Sequence, residues 1–324
     1  MDSEGSAKHA AGQAMVFSGS SHPALANEIC QLLDLPLSKA FVGTFKNGET
    51  RVQIEENVRG ADVFVVQSMC DPVDHHIVEL LIMIDALRRA SAARVTAVIP
   101  YFAYAKQEKK MAGREPISAK VITKLIETVG ADRVLTIDLH APAIEGFFDI
   151  PVDHLRAAPL LARAFKKAAL GRETVIVSPD AGGVARANDF RARIGAGMAI
   201  ISKTRPTTDV TEVLDMVGDV RGKCAVIVDD MISTGSTLVD AVDAVCQRGA
   251  AEVYACATHA IFAGEAVQLI HESALEGVIT TNTLPVPVER RNNKITVLTV
   301  APLLADAIAR IHDNRSVSEL FNTK

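Results

Sequence analysis

Tryptophan is absent from the chain, and Phe and Tyr together supply only 4% of its 324 residues. The apolar 48% is therefore mostly Val, Ile, Leu and Ala, a composition that suits parallel sheets covered on both faces by helices. No apolar run approaches the length of a membrane span, so no membrane partner is expected. The first thirteen residues, MDSEGSAKHAAGQ, lack the apolar stretch of a secretory signal. Residues 1–13 are expected to form a flexible leader, and the protein to be soluble and cytoplasmic. Long basic runs are missing as well, and the net charge of −5 gives no reason to expect nucleic acid as a partner. Five cysteines (Cys30, Cys70, Cys224, Cys246, Cys256) include no C-x-x-C pair. That spacing favours buried, reduced thiols over disulfides or zinc.

What is present is a βαβ rhythm. Short β-branched runs at 62–67, 94–100, 133–137, 174–178, 197–202, 224–228, 252–258 and 277–281 read as strands. Helical patterns at 77–90, 118–129, 158–169, 237–248 and 265–271 lie between them. The alternation predicts α/β architecture with mostly parallel sheets flanked by helices. Residues 92–98 (AARVTAV) and 250–256 (AAEVYAC) echo each other, each following a helix and opening a strand. The echo is either chance or the trace of two related domains, and the second reading is preferred. The boundary is placed at 155/156, giving domains 14–155 and 156–298, with a tail at 314–324. A last strand at 295–299 and helix at 303–312 complete the chain, and 299–313 is expected to pack back on the first domain.

The most informative segment is VIVDDMISTGSTL, residues 226–238. An apolar run ends in Asp229 and Asp230. A small hydroxyl- and glycine-containing turn follows (Ser233, Thr234, Gly235, Ser236, Thr237). A helix then opens with Leu238, Val242 and Val245 on one face. Strand, turn and helix in that order aim backbone N–H groups at one point, which attracts phosphate. The aspartates at the strand's end can bind ribose hydroxyls or a magnesium ion. The segment reads as a ribose-5-phosphate cradle, or else as an ordinary strand–turn–helix with a Ser/Thr cap.

Four other segments offer chemistry, each with a plainer alternative. Asp138 and His140 end a strand, where ligands of open parallel sheets gather, and Asp180 precedes Gly182 and Gly183 before another helix. His140 and Asp180 can together hold magnesium; alone, His140 reads as a hydrogen-bonded loop histidine. Lys203 and Arg205 alternate after a strand and so point one way. They are either solvated surface charges or cations that stabilise a transferring phosphate. Residues 101–120 carry Lys106, Gln107, Glu108, Lys109, Lys110 and Arg114. This is an exposed loop or a basic cover for a triphosphate, followed by a helix that Ser118 is placed to cap. Residues 51–55 alternate as an exposed hairpin would, and Phe45, Asn47 and Glu49 beside them can stack on and hydrogen-bond a purine.

Taken in order, these segments resemble the ribose-phosphate pyrophosphokinase (phosphoribosyl diphosphate synthase) family. NVRG at 57–60, PISAK at 116–120, GFFDIPVDHL at 146–155, VSPDAGGVAR at 177–186 and SVSELF at 316–321 carry the likeness from about residue 15 to 321. The resemblance implies two tandem type I phosphoribosyltransferase-like domains. It also implies transfer of the β,γ-diphosphoryl group of ATP to the 1-hydroxyl of ribose 5-phosphate, releasing AMP. Asp229 and Asp230 would then bind the ribose hydroxyls, and Ser233, Thr234, Gly235, Ser236 and Thr237 the 5-phosphate. His140 and Asp180 would position Mg²⁺ and ATP, with Asp138 in support, and Lys203 and Arg205 would stabilise the transition state. Phe45, Asn47 and Glu49 would reach adenine in a neighbouring subunit, while Lys106, Gln107 and Arg114 close over the triphosphate. Homo-oligomers built from dimers, commonly hexamers, are implied. Phosphate and ADP are implied effectors, with Ser316, Ser318 and Phe321 at their site.

Several positions depart from the family pattern. Lys106-Gln107-Glu108 stands where many relatives have Arg-Gln-Asp, and lysine lacks arginine's planar fork. The phosphate turn lacks the acidic residue common in the family, and Asn47 replaces an aspartate frequent in bacterial members. Two rival readings remain at this stage: a type I phosphoribosyltransferase that consumes the product, and a non-catalytic regulatory paralogue.

Overall fold

The computed structural model describes residues 12–168, 171–204, 213–290 and 293–322. In chain order its first elements are β1 (Ala14–Ser18), α1 (Pro23–Leu33), β2 (Ala40–Thr44), β3 (Thr50–Ile54), β4 (Asp62–Val66), α2 (Val73–Arg89), β5 (Arg94–Ile99) and α3 (Ser118–Thr128). Next come β6 (Arg133–Ile137), β7 (Val152–Leu155), α4 (Ala158–Ala168), β8 (Thr174–Ser178), α5 (Val184–Ile194), β9 (Gly197–Thr204), β10 (Val213–Val217) and β11 (Cys224–Ile232). The chain ends with α6 (Ser236–Gln247), β12 (Glu252–Ala260), α7 (Ala266–Glu272), β13 (Gly277–Thr281), β14 (Ile295–Leu298) and α8 (Ala301–His312).

The chain forms two compact units. Unit 1 comprises Met1–Thr136, Ala141–His154 and Ala301–Phe321; unit 2 comprises Ile137–His140, Leu155–Val300 and Asn322–Lys324. Unit 1 is built on a sheet of order β1-β4-β5-β6-β7, with β2 and β3 as a separate antiparallel hairpin. β1–β4, β4–β5 and β5–β6 pair in parallel. All of β4 (DVFVV) is buried, as a parallel strand covered on both faces requires.

A charge cluster explains why the last helix belongs to unit 1. Asp62, the first residue of β4, is 2% exposed. It accepts from Arg94 Nε at 2.7 Å and pairs with His312 Nδ1, at the end of α8, at 2.9 Å. Arg94 also donates to the Ile311 carbonyl at 3.0 Å. β14 instead extends the sheet of unit 2 beside β13, so the last strand and the last helix part company.

Unit 2 holds the larger sheet, of order β10-β9-β8-β11-β12-β13-β14. β8, β9 and β11 to β14 run in parallel, and β10 returns antiparallel along β9. Leu238, Ala241, Val242 and Val245 are the buried face of α6, the i, i+3, i+4, i+7 stripe of an amphipathic helix. Each of the larger ones contributes roughly 1.5–3 kcal/mol by leaving water. Two sequence expectations shift here. β11 runs four residues past Val228, so Asp229 and Asp230 are strand residues. Ser118 is the first residue of α3 rather than its cap, which is Ile117.

The sequence echo has a structural counterpart in each unit. After α2, the N–H groups of Ser91 and Ala92 bond the carbonyls of Arg88 and Leu87. After α6, Gly249 and Ala250 bond Cys246 and Val245 in the same way. Ser91 (φ 68°) and Gly249 (φ 85°) share the left-handed conformation that ends both helices. The five cysteines are all unpaired thiols. Burial pushes those of Cys30 and Cys70 up to about 11, which leaves them inert.

Candidate active site

Asp229 and Asp230 stand side by side late in β11. The Asp229 side chain is 32% exposed and that of Asp230 2%. Arg186, in the first turn of α5, spans the pair: Nη1 lies 2.9 Å from Asp229 Oδ1 and Nη2 3.3 Å from Asp230 Oδ1. His140 Nδ1 lies 2.7 Å from Asp230 Oδ2. The Asp230 N–H donates back to Asp229 Oδ1 at 2.8 Å.

These neighbours separate the two acids. Burial, then the hydrogen bond and charge of Asp230, push Asp229 up to about 7, against a smaller pull from Arg186. Burial also works to raise Asp230, but His140 and Arg186 outweigh it and hold that carboxyl below the usual range. The pair thus holds one firm negative charge and one carboxyl that titrates near neutrality.

Beyond β11, Ser233 accepts from the Ala263 N–H through its carbonyl at 3.0 Å, which pins the turn. Gly235 caps α6 with φ 84°. A Cβ there would stand 3.2 Å from the Ala266 Cα, so conformation and space both call for glycine. The N–H groups of the first turn of α6 have no intrahelical acceptor, and the helix dipole favours an anion at that end. The exposed Thr234 and Ser236 place their hydroxyls 3.1 Å apart at the same end, with Thr237 exposed beside them.

Asp138 braces the segment that presents His140. Its backbone is left-handed at φ 40°. Oδ2 accepts from the Ala157 N–H at 3.0 Å and from Thr258 Oγ1 at 2.7 Å, and Arg156 lies 3.8 Å from Oδ1. His259, 1% exposed, places Nε2 3.0 Å from the Asp138 carbonyl and Nδ1 2.9 Å from Thr283 Oγ1. Burial lowers its pKa, and Nε2 is the donor to the Asp138 carbonyl, which can only accept. Asp180 is exposed and accepts from the Gly183 N–H at 2.8 Å. Gly183 is needed because a Cβ would stand 2.9 Å from Ser178 Oγ.

Unit 2 therefore joins His140, Asp229 and Asp230 through Arg186 in one bonded cluster and braces Asp138, two residues before His140, in a second, with Asp180 and residues 233–237 at the ends of neighbouring strands. Sequence reasoning missed Arg186, Thr258 and His259. Arg186 had a signal, since it lies one turn into a helix that follows a glycine pair at a strand's end. The lysine at 203 lies in β9, but its side chain is outside the described residues, as is the whole of Arg205.

The remaining candidates belong to unit 1. Phe45, Asn47 and Glu49 form the tip of the β2–β3 hairpin: the Phe45 N–H donates to the Glu49 carbonyl at 2.8 Å, and Asn47 Oδ1 accepts from the Glu49 N–H at 3.3 Å. In the charged loop, Gln107 accepts from Ser118 Oγ at 2.6 Å, and Tyr104 donates to Asp74 at 2.6 Å. Lys106 and Arg114 are exposed there. Ser316 and Ser318 place their hydroxyls 2.7 Å apart on the tail, and Arg310 binds the Ser316 carbonyl at 2.9 Å. The side chain of Phe321 lies outside the described residues.

Known proteins resemble this chain along most of its length. Residues 14–130 match the model for the N-terminal domain of ribose phosphate pyrophosphokinase. Residues 205–322 match that for the phosphoribosyl synthetase-associated domain. Ribose-phosphate pyrophosphokinase of Caldanaerobacter subterraneus subsp. tengcongensis is 52% identical over 306 residues, covering 94% of this chain and 97% of that one. The chain belongs to the ribose-phosphate pyrophosphokinase family. The Bacillus subtilis pyrophosphokinase is 48% identical over 307 residues, covering 95% and 96% of the two chains. The crystal structure of phosphoribosylpyrophosphate synthetase from Mycobacterium smegmatis superposes with a TM-score of 0.89. It is 42% identical, with 93% of this chain and 99% of that one covered. That likeness extends the family assignment to the fold, with two domains of phosphoribosyltransferase type.

Proposed function

We propose that the chain transfers the diphosphoryl group of ATP to the 1-hydroxyl of ribose 5-phosphate, giving phosphoribosyl diphosphate and AMP. The 1-hydroxyl oxygen attacks the β-phosphorus, the bond from that phosphorus to the α–β bridging oxygen breaks, AMP departs with that oxygen, and the hydroxyl proton leaves to solvent. The observation that carries this reading is the order found along β11 and α6. An acidic pair braced by Arg186 and His140 leads into a glycine-capped helix N-terminus with three exposed hydroxyl residues. That order matches a sugar phosphate, with hydroxyls at one end and a dianion at the other.

In this reading Asp229 accepts from the ribose hydroxyls, and Asp230, expected from the sequence to share that role but 2% exposed with its oxygens on Arg186 and His140, supports it from behind. The backbone and hydroxyls of residues 233–237 hold the 5-phosphate. Lys203 and Arg205 neutralise charge on the transferring group, where catalysis consists mostly of positioning and electrostatic stabilisation. Phe45, Asn47 and Glu49 bind adenine in a neighbouring subunit of a homo-oligomer, dimers assembling to a hexamer. Lys106, Gln107 and Arg114 close over the triphosphate. Ser316, Ser318 and Phe321 contribute to a regulatory site for phosphate and ADP. The cytoplasm is the proposed compartment.

Magnesium fits the donors present in a particular way. Among the described residues no three His, Cys, Asp or Glu side chains cluster into a cage. Magnesium shared with substrate phosphates needs only one or two protein carboxylates and keeps several waters. Asp180 and His140, with Asp138 in support, are the groups assigned to hold it, His140 through bound water. When bound it supplies charge neutralisation on the phosphate oxygens.

Calorimetric titration tests the cradle. Ribose 5-phosphate should bind the wild-type chain, ribose should not, and Gly235→Val should abolish the binding. Equal affinity for ribose and its phosphate would remove the helix N-terminus from the site.

A further inference from the structure

The β2–β3 hairpin sets Arg51 directly opposite Gly43. Strand alternation puts Phe41, Gly43 and Phe45 on one face of β2 and its extension, with Arg51 on the same face of β3. Because Gly43 has no side chain, the guanidinium lies across the hairpin between two rings. Its Cζ is 4.9 Å from the centroid of Phe41 and 5.5 Å from that of Phe45. Both distances fall in the cation–π range. A Cβ at position 43 would stand 3.2 Å from Phe41 Cζ, so the glycine also leaves room for that ring.

Both rings are exposed, Phe41 by 43% and Phe45 by 48%. The turn fixes the backbone of Phe45 through its N–H to Glu49 and its carbonyl to Gly48, at 2.8 and 2.9 Å. Hydrogen bonds do not fix an aromatic ring. Here the guanidinium over one face does so, and Phe41 anchors the guanidinium from the other side.

We infer that Arg51 is a positioning residue for a purine platform. It holds Phe45 in one orientation, occupies one face of the ring and presents the opposite face to the base of the nucleotide donor. This rests on the reading of Phe45 as the adenine-stacking residue. A pre-oriented ring binds a base at lower entropic cost than a free one. A cation behind the ring also favours stacking of an electron-rich purine on its front.

The test compares wild type, Arg51→Ala, Arg51→Lys and Phe45→Ala by the KM for ATP, by kcat, and by inhibition with inorganic tripolyphosphate, which has no base. Arg51→Ala should raise the KM for ATP roughly 2–5-fold, the scale of an exposed cation–π contact. It should leave kcat within twofold and tripolyphosphate inhibition unmoved. Arg51→Lys should fall between, because lysine stacks less well than the planar guanidinium. An unchanged KM in Arg51→Ala, with a raised KM in Phe45→Ala, would overturn the inference and leave the platform standing. Equal weakening of ATP and tripolyphosphate by Arg51→Ala would make Arg51 a phosphate contact and also overturn it. An unchanged KM in Phe45→Ala would remove the platform itself. If the wild-type chain releases no AMP, the synthase reading has failed, and calorimetric binding of ATP and tripolyphosphate makes the same comparison.

Discussion

His140 Nδ1 lies 2.7 Å from Asp230 Oδ2, across 90 positions of sequence. Arg186 meets the other oxygen of the same carboxylate at 3.3 Å, so a side chain 2% exposed is bracketed by two cations or donors. Removing one member of a buried pair strands the others. Asp230→Ala should lower stability by about 3 kcal/mol. Asp230→Asn, which keeps the shape, should cost less. Both should reduce kcat/KM for ribose 5-phosphate by about 10²-fold or more. Denaturant unfolding and steady-state kinetics measure the two effects.

Asp229 makes stability depend on pH in a defined direction. Its carboxyl, ordinarily near 3.8, is pushed up to about 7 by burial and by Asp230, so the folded chain keeps a proton that the unfolded chain releases. That contribution is complete below the ordinary value and is lost as pH rises through about 7. Asp230 works in the opposite sense: its depressed carboxyl contributes at neutral pH and loses that contribution in acid. In Asp229→Asn the first contribution is gone. The Tm of the variant minus that of wild type should therefore grow between pH 5 and pH 8, by roughly 1–4 °C. A constant difference across that range would contradict the assignment.

His259 holds the Asp138 carbonyl and Thr283 from the interior of unit 2. His259→Phe keeps most of the volume but leaves two polar groups without the ring's nitrogens. It should cost about 2–3 kcal/mol. With the left-handed Asp138 released, the segment carrying His140 should shift and the KM for ATP rise. Thermal melts and nucleotide kinetics measure both effects.

The paired helix ends yield a stabilising substitution. Ser91 occupies the left-handed conformation at φ 68° that Gly249 occupies at φ 85°. A side chain in that region costs about 1–2 kcal/mol, partly offset by the greater freedom glycine loses on folding. Ser91→Gly should raise stability by about 0.5–1 kcal/mol with unchanged turnover. Gly249→Ser should lower it by a similar amount.

Local pattern made some of this legible in the sequence and left the rest out. The run CAVIV, the acid pair and the glycine turn announce β11, the cradle and α6, because strand burial, turn chemistry and helix periodicity are all short-range. The far end of β11 was not legible, since MI after the aspartates reads equally well as loop. No local pattern sets Asp62, Arg94 and His312 apart, yet they tie α8 to unit 1 through a contact spanning 250 positions. His259 sits in an apolar strand and shows its role only when Asp138 and Thr283 are placed around it. Ser118 looked like a cap because it precedes a helical pattern, but its hydroxyl goes to Gln107 instead.

The most direct measurement is AMP release from ATP and magnesium, with and without ribose 5-phosphate, at several concentrations of free phosphate. The account predicts AMP and phosphoribosyl diphosphate only when the sugar phosphate is present. A folded oligomer that releases no AMP at any phosphate concentration would contradict it and make Lys106 and Glu108 the first positions to restore to Arg and Asp.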